Sequence, residues 1–531
     1  MTWRPSNATY VDSLARTIAE VEPNVKDYLE VAVILEIVGV SDETARLHGY
    51  ESVFALARDV EPLVELYRPR TSPARGGPLE QRSAFILFFT GMFYNLWWVI
   101  MLVALFLGGQ SLWASVRLPP DIATSIGLGV ILGLVATGGV QQFASWKMTY
   151  YLLQDNKPLA RFVMDKSLFW GGVLLITVGA GYALINELIL PKAFGITLVT
   201  LYYFLLIGLF RLLVVPVYAM KRYLPLILSA LVALAFMFVS LFVLEALGAS
   251  RTLATIGSQS FGLYALIVVS AVFLFEYVYR EPREEPTAEE PPFYSKPERP
   301  RHVRPPRFAY LAHDGLPLIA YGTLFFVYLF ADRLVSWWNQ GDGFAYNASY
   351  QVGVDMALLM LIPLTGVKFV FIYRLSDSMR ETLRAIPVTR PRAFEQWLTA
   401  FYGRMMVAVI VAGLLFLVVG LLLAGPIIAV AGGDATSLVV FRYALVGVFF
   451  FSVFLANAVF SLVFRRTWGL SLILFIGSVA NFIIGATLAM SADPWQAVFG
   501  FVITAFYLGV VSIGYVYTYT SRAVYAHYTA M

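Results

Sequence analysis

The chain has 531 residues, of which 59% are hydrophobic and 14% charged, with a formal net charge of +4 and a mean hydropathy of +0.72. That composition lies far outside the range of a soluble globular domain. It contains no cysteine and four scattered histidines (His48, His302, His313, His527). This excludes disulfides, thiolate metal sites and cysteine nucleophiles and leaves no metal-ligand spacing.

Residues 1–82 carry 13 acidic and 9 basic side chains without an apolar h-region, so no signal peptide is expected and insertion would start at the first span. Val25–Val38 has the apolar rhythm of a helix. Ser41 and Asp42 form an N-cap for a short helix through Leu47, and Tyr50–Leu66 reads as another helix. A small cytoplasmic helical domain follows, joined to the membrane by a Pro-, Gly- and Arg-rich tether over 68–78.

Twelve apolar segments then exceed the roughly 20 residues needed to cross the hydrocarbon core. They are 84–107, 121–143, 168–190, 193–216, 225–247 and 259–278, then 309–332, 351–373, 402–426, 439–463, 468–490 and 495–518. Between the sixth and seventh lies a divide over 279–307. Its stretch from Arg280 to Arg307 packs 8 prolines and 13 charged residues into 28 positions, and proline keeps such a segment extended. The expected architecture is an all-α polytopic membrane protein. Its parts are a 1–82 domain, a six-helix half over 83–278, the linker, and a second six-helix half over 308–531.

Placing the N-terminus in the cytoplasm puts Lys147, Lys157, Arg161, Lys166, Lys221, Arg222, the basic linker residues, Arg374, Arg380, Arg384, Arg390, Arg392, Arg465, Arg466 and Arg522 on the inner side. The opposite side keeps Arg117, Lys192, Arg251, Arg333 and Arg442. By the positive-inside rule both termini and the linker are cytoplasmic and the membrane is the cytoplasmic (inner) one. An even number of spans per half permits a parallel repeat about an axis along the membrane normal. The longest inner loop of each half, 144–167 and 374–401, carries an amphipathic stretch (Ser145–Phe162 and Leu375–Leu398) expected to lie at the interface.

The chain has no phosphate-binding GxxxxGK[ST] loop, HExxH, GxSxG or close carboxylate pair, so catalysis and a bound cofactor or metal are not expected. Ionisable residues within spans are costly and therefore candidates for a substrate pathway. Arg211 in the fourth span and Lys368 in the eighth either face a cavity or snorkel to the inner interface. Asp355 sits near the outer end of the eighth span, where a water-filled cavity would relieve its desolvation. Asp332 and Arg333 close the seventh span beside Trp337 and Trp338, as pathway residues or interface anchors. Asn95, Asn457 and Asn481 are amides inside spans, suited to joining helices or touching substrate. Phe93, Tyr94, Trp97, Trp98, Tyr202 and Tyr203 supply rings that fill packing space or stack on sugars.

The stretch Phe330-Ala331-Asp332-Arg333-Leu334-Val335-Ser336-Trp337-Trp338 resembles the A-D-[KR]-W-I-F-W segment ending the seventh span of PelG-type exporters of Pel exopolysaccharide. Those belong to the multidrug/oligosaccharidyl-lipid/polysaccharide (MOP) flippase superfamily. Asp355, Pro363 and Phe369–Arg374 fall where that family has an acid, a proline and a run into a cytoplasmic helix. Gln141–Leu153 with Asp155–Asp165 resembles its loop after the second span. The resemblance implies a two-lobed flippase with a central cavity, moving a polysaccharide or lipid-linked glycan outward. By analogy, residues 1–82 would engage a cytoplasmic glycosyltransferase or regulator; the bilayer is the other partner, and no nucleic acid is expected. A major-facilitator transporter, a non-transporting scaffold for glycan-synthesis enzymes and, last, a membrane glycan-modifying enzyme are the alternatives.

Overall fold

The computed structural model describes residues 5–21, 25, 27–37, 40–67, 83–115, 117–154, 156–188, 194–220, 222, 224–280, 307–338, 344–385 and 391–522. Among them every extended element is a helix, and the one β-bridge joins Gln110 to Ser115. The tether over 68–78 and nearly all of the proline-rich linker lie outside the described residues.

The N-terminal region is a four-helix cluster: α1 (Pro5–Val21), α2 (Tyr28–Ile37), α3 (Asp42–Leu47) and α4 (Val53–Tyr67). Ser41 caps α3 as expected, its hydroxyl accepting from the Thr44 amide. The helix α1 was not anticipated. Its buried positions Val11, Leu14, Ala15, Ile18 and Ala19 recur at helical spacing. They pack with Leu35, Leu56 and Val60 into one core.

The remaining helices are α5 (Ala84–Phe93), α6 (Leu96–Gly108), α7 (Pro120–Leu153), α8 (Lys157–Leu188), α9 (Phe194–Leu213), α10 (Val215–Ala219), α11 (Leu224–Ala246) and α12 (Arg251–Leu274). After the linker come α13 (Phe308–Trp338), α14 (Ala348–Leu358), α15 (Leu361–Ala385), α16 (Pro391–Leu422), α17 (Ala424–Val430), α18 (Ala435–Val463), α19 (Thr467–Ser491) and α20 (Val498–Thr520). Among the described residues 11 stretches are long and apolar enough to cross a membrane. The pair α5 and α6 makes a possible twelfth, bent by 53°. The twelve expected spans are therefore all represented, but the first is not straight. It breaks at Tyr94 and Asn95, where no side-chain cap bond forms. The eighth breaks at Leu359 and Met360, because Pro363 has no N–H to give and its ring crowds the carbonyl four residues back.

The two expected interfacial helices do not exist as separate elements. Ser145–Leu153 is the end of α7, and α8 begins at Lys157 with Asn156 accepting from the Leu159 amide at 3.2 Å. Likewise α15 runs through Ala385 and α16 starts at Pro391. Pro158 lies in the first turn of α8 and Pro391 opens α16, so each stretch holds the start of the following long helix, where proline is tolerated.

By contacts the chain divides into two compact units. One comprises Met1–Phe88, Lys368–Ala408 and Tyr517–Met531; the other comprises Phe89–Val367 and Val409–Val516. Within the second unit one core is built on α7, α9, α11 and α12 (Ile131, Tyr203, Met237, Leu263). Another is built on α13, α14, α18, α19 and α20 (Tyr328, Val354, Phe451, Leu474, Phe501). The helices α7 and α13 join them, running antiparallel at glycine-close range. Gly127 meets Trp337, Gly138 meets Gly322, Gly139 meets Ile319 and Phe143 meets Gly315. Lys147 pairs with Asp314 at the end of this seam. Small residues let helix backbones approach where lipid offers no hydrophobic drive between helices.

Candidate functional site

A cavity of about 340 Å³ lies within the larger unit, lined from α6, the turn after it, α7, α9, α10, α13, α14, α15 and α18. Both helix breaks reach it, through Asn95 and Leu359. Its size falls in the range of about 300–1,000 Å³ typical of small-molecule sites.

One wall is indole. Trp97, Trp98 and Trp113 line it, with ring centroids 5.5 Å apart for Trp97–Trp98 and 5.3 Å for Trp98–Trp113, and Phe210 set edge-on to Trp97 at 5.9 Å. Trp113 is held in place by Gln259 of α12, whose side-chain amide donates to the carbonyls of Ser111 at 2.9 Å and Ala114 at 3.2 Å. Tyr203 donates to the Gln259 carbonyl oxygen at 2.6 Å.

A second part of the lining belongs to α13. Phe326 and Phe330 stack four residues apart, with centroids at 6.4 Å. The Arg211 guanidinium lies over Phe326 at 4.9 Å and that of Arg333 over Phe330 at 5.3 Å. The two cations differ in what they meet. Arg333 pairs with Asp355 at 3.0 Å and donates to the Leu329 carbonyl. The other Asp355 oxygen accepts from Gln351 at 2.8 Å. Arg211 is 91% buried and has no acidic or hydrogen-bonding partner among the described residues; its Nε is fully enclosed and unpaired.

Of the residues singled out from sequence, Arg211, Arg333, Asp355 and Asn95 come together around this cavity. Asp332 is fully buried behind it, accepting from Tyr350 at 2.6 Å with its other oxygen unpaired. Asn457 donates to Ser512 at 2.9 Å and Asn481 to the Tyr328 carbonyl at 3.2 Å, so these two amides join helices and do not line the cavity. Lys368 is buried, belongs to the other compact unit and is not among the lining residues. Trp113, Tyr218, Gln351, Tyr346 and Thr365 line the cavity and were not singled out. Gln351 could have been found as a polar residue one helical turn before Asp355; the others carry no signal in one sequence.

An apolar groove of about 440 Å³ adjoins the cavity, formed by Val99, Val103 and Phe106 of α6, Met356 of α14 and Pro426, Ile427 and Val430 of α17. Leu102 and Leu359 line both spaces.

No protein-family profile matches the chain, and no curated protein is significantly similar to it. Solved structures are similar in fold. An outward-facing multidrug resistance MATE family transporter of the MOP superfamily aligns over 85% of this chain and 99% of its own, with a TM-score of 0.56 and 14% identity. A MOP superfamily transporter from Pyrococcus furiosus, described as having a binding pocket of reversed polarity, aligns over the same shares with a TM-score of 0.52 and 14% identity. The MATE transporter ClbM in complex with Rb+ aligns over 84% of this chain and 99% of its own, with a TM-score of 0.52 and 11% identity. The chain thus has the fold of the MATE transporters of the MOP superfamily.

Proposed function

We propose that this protein is a membrane transporter, without catalytic activity, that moves a polysaccharide or lipid-linked glycan outward across the cytoplasmic membrane. It would act as a PelG-like member of the MOP superfamily. The observation that carries the reading is the cavity: polar and charged side chains at one end, an indole wall, and an apolar groove that shares Leu102 and Leu359 with it. Indole faces suit sugar rings, and an apolar side passage suits a lipid chain. Two helical halves rocking about the site between them would expose it to each side in turn. With both termini cytoplasmic, Lys147–Asp314 and the Arg465 guanidinium, 5.0 Å above the Trp146 ring, would lie at the inner end of the pathway and close it there. Residues 1–82 would dock a glycosyltransferase or regulator. A non-transporting scaffold would be expected to have a filled interior, which the cavity argues against. The fold comparison favours the MOP architecture over a major-facilitator one.

The test is to delete the gene and quantify cell-surface glycan. Complementation with Arg211→Ala, Asp355→Ala and Lys368→Ala follows, with protein level checked by blot. Lost glycan that well-expressed Arg211 and Asp355 variants fail to restore supports the reading. Unchanged surface glycan while the gene is expressed removes it.

A further inference from the structure

Among the described residues, every charged group lining the cavity has a counter-charge except Arg211. A guanidinium that is 91% buried keeps its charge, because arginine is not deprotonated in proteins. Leaving such a charge uncompensated is strongly unfavourable. Here the face of Phe326 and the neutral Tyr218 side chain are the favourable contacts for the charge among the described residues; neither carries a negative charge, and a cation–π contact replaces only part of lost hydration. Its Nε is enclosed, whereas its terminal nitrogens are not among the enclosed unpaired atoms and the side chain lines the cavity. The fork of N–H donors therefore opens onto empty space, in the geometry that takes phosphate or carboxylate bidentately. Asp355 makes no ion pair with Arg211; its two oxygens face Arg333 and Gln351. The same cavity is lined by Trp97, Trp98 and Trp113, which carry no formal charge.

We infer that the cavity binds an amphipathic anion, with a phosphate or carboxylate on Arg211 and an attached ring or apolar group on the tryptophan wall. This rests on the cavity being the substrate site and narrows the substrate to a class: an acidic or phosphate-linked glycan unit. The phosphate could be lipid-borne or carried on a soluble molecule, and the chemistry at Arg211 is the same for both.

The experiment is calorimetric titration of the full-length protein in nanodiscs of neutral lipid. The probes are phenyl phosphate, phenyl β-glucoside, phenyltrimethylammonium and inorganic phosphate. Phenyl phosphate is expected to bind at least tenfold more tightly than the neutral glucoside, and the cation not at all. Arg211→Gln should abolish that preference and Arg211→Lys should retain part of it. Trp98→Leu should weaken phenyl phosphate severalfold while leaving inorganic phosphate unchanged. Because the probe preference is read on the unmodified protein, a variant that fails to fold does not shield the inference. Preference for the cation, no binding of phenyl phosphate, or equal affinity in a folded Arg211→Gln protein would overturn it. Displacement of phenyl phosphate by farnesyl phosphate assigns the lipid-borne source, and its failure to displace assigns the soluble one. Anion binding without any change in surface glycan on gene deletion would keep this site and remove the glycan-export reading.

Discussion

The close approach of α7 and α13 makes a quantitative prediction at Gly322. A Cβ placed there would lie 2.5 Å from the Gly138 carbonyl oxygen and 2.8 Å from Gln142 Cβ. The first distance falls short of an ordinary contact of 3.4 Å by about 0.9 Å, and the obstacle is backbone, which cannot rotate away. Overpacking of this kind costs about 1–3 kcal/mol, and contact with a carbonyl at two helices' closest point puts Gly322→Ala at the upper end. Helix propensity returns up to about 1 kcal/mol when glycine becomes alanine. Gly172 of α8 serves as the control, because a Cβ there meets nothing within 4 Å and the propensity gain stands alone. The expected difference between Gly322→Ala and Gly172→Ala is therefore about 2–3 kcal/mol, taking the overpacking range as its scale. The assay is thermal unfolding of both purified variants in one detergent, followed by the loss of the monodisperse peak on size exclusion. Should Gly322→Ala prove as stable as Gly172→Ala, the α7–α13 seam is not packed as described.

Three further outcomes follow from single contacts. Asp355→Ala removes the carboxylate paired with Arg333, whose side chain is 2% exposed against 22% for Asp355, and leaves Asp332 as its remaining counter-charge; the loss should be at most about 3 kcal/mol, the low end for a broken buried pair. The Arg333→Leu, Asp355→Leu double variant should not recover that loss in the same thermal assay, because it removes the counter-charge of the fully buried Asp332. Gln259→Leu leaves the Tyr203 hydroxyl and the Ser111 carbonyl without their partner, while the Ala114 carbonyl keeps only the Ser111 donors. It should cost about 1–3 kcal/mol and speed amide hydrogen exchange over 110–115, which mass spectrometry reads directly. At Asp434, burial alone would raise the carboxyl pKa. The Ser437 amide at 2.8 Å and the Ser349 and Ser437 hydroxyls outweigh that and hold it below its ordinary value. A depressed folded-state pKa gives stability that is present above the unfolded value of about 3.9 and is lost as pH falls through the folded one. Asp434→Ala should therefore cost about 1 kcal/mol at neutral pH, as loss of an N-cap does, and the gap from wild type should close on acidification below about pH 4.

Hydropathy made the spans legible because a crossing helix must be apolar along its whole length, whatever its neighbours are. It could not show where helices bend. The first span carries no proline or glycine at Tyr94 and Asn95, so its 53° break is set by packing. The reading of Ser145–Phe162 as a surface helix failed for a related reason. At about 1.5 Å per residue, the 34 residues of α7 reach roughly 51 Å, well beyond a hydrocarbon core of about 30 Å. The one charged residue near its end, Lys147, is buried and paired with Asp314. For the site, a polar residue in an apolar run was a true signal of constraint but not of direction. Arg211 and Asn457 looked alike in sequence; one faces the cavity and the other joins α18 to α20. Direction depends on which helices become neighbours, and a single chain does not display that.

The distribution of rigid and broken helices also bears on how the cavity would change shape. Along α7 and α13 the backbones come together at Gly138–Gly322 and Gly139–Ile319, with the Trp337 and Phe143 rings filling the contact at Gly127 and Gly315, and close packing against a carbonyl resists both sliding and separation. By contrast, α6 and α14 each begin or end at a break beside the cavity. An interrupted backbone absorbs φ and ψ changes at a few residues, as hinges do. Any opening would then be carried by α6 and α14 swinging while the seam acts as the axis. The absence of native cysteine makes this measurable with paired spin labels. A pair across the seam at Ala136 and Thr323 should keep its distance distribution when ligand is added, whereas a pair at Val103 and Met356, on the two swinging helices, should broaden or shift. A seam pair that moves as much as the α6–α14 pair would place the motion between α7 and α13 and discard the axis.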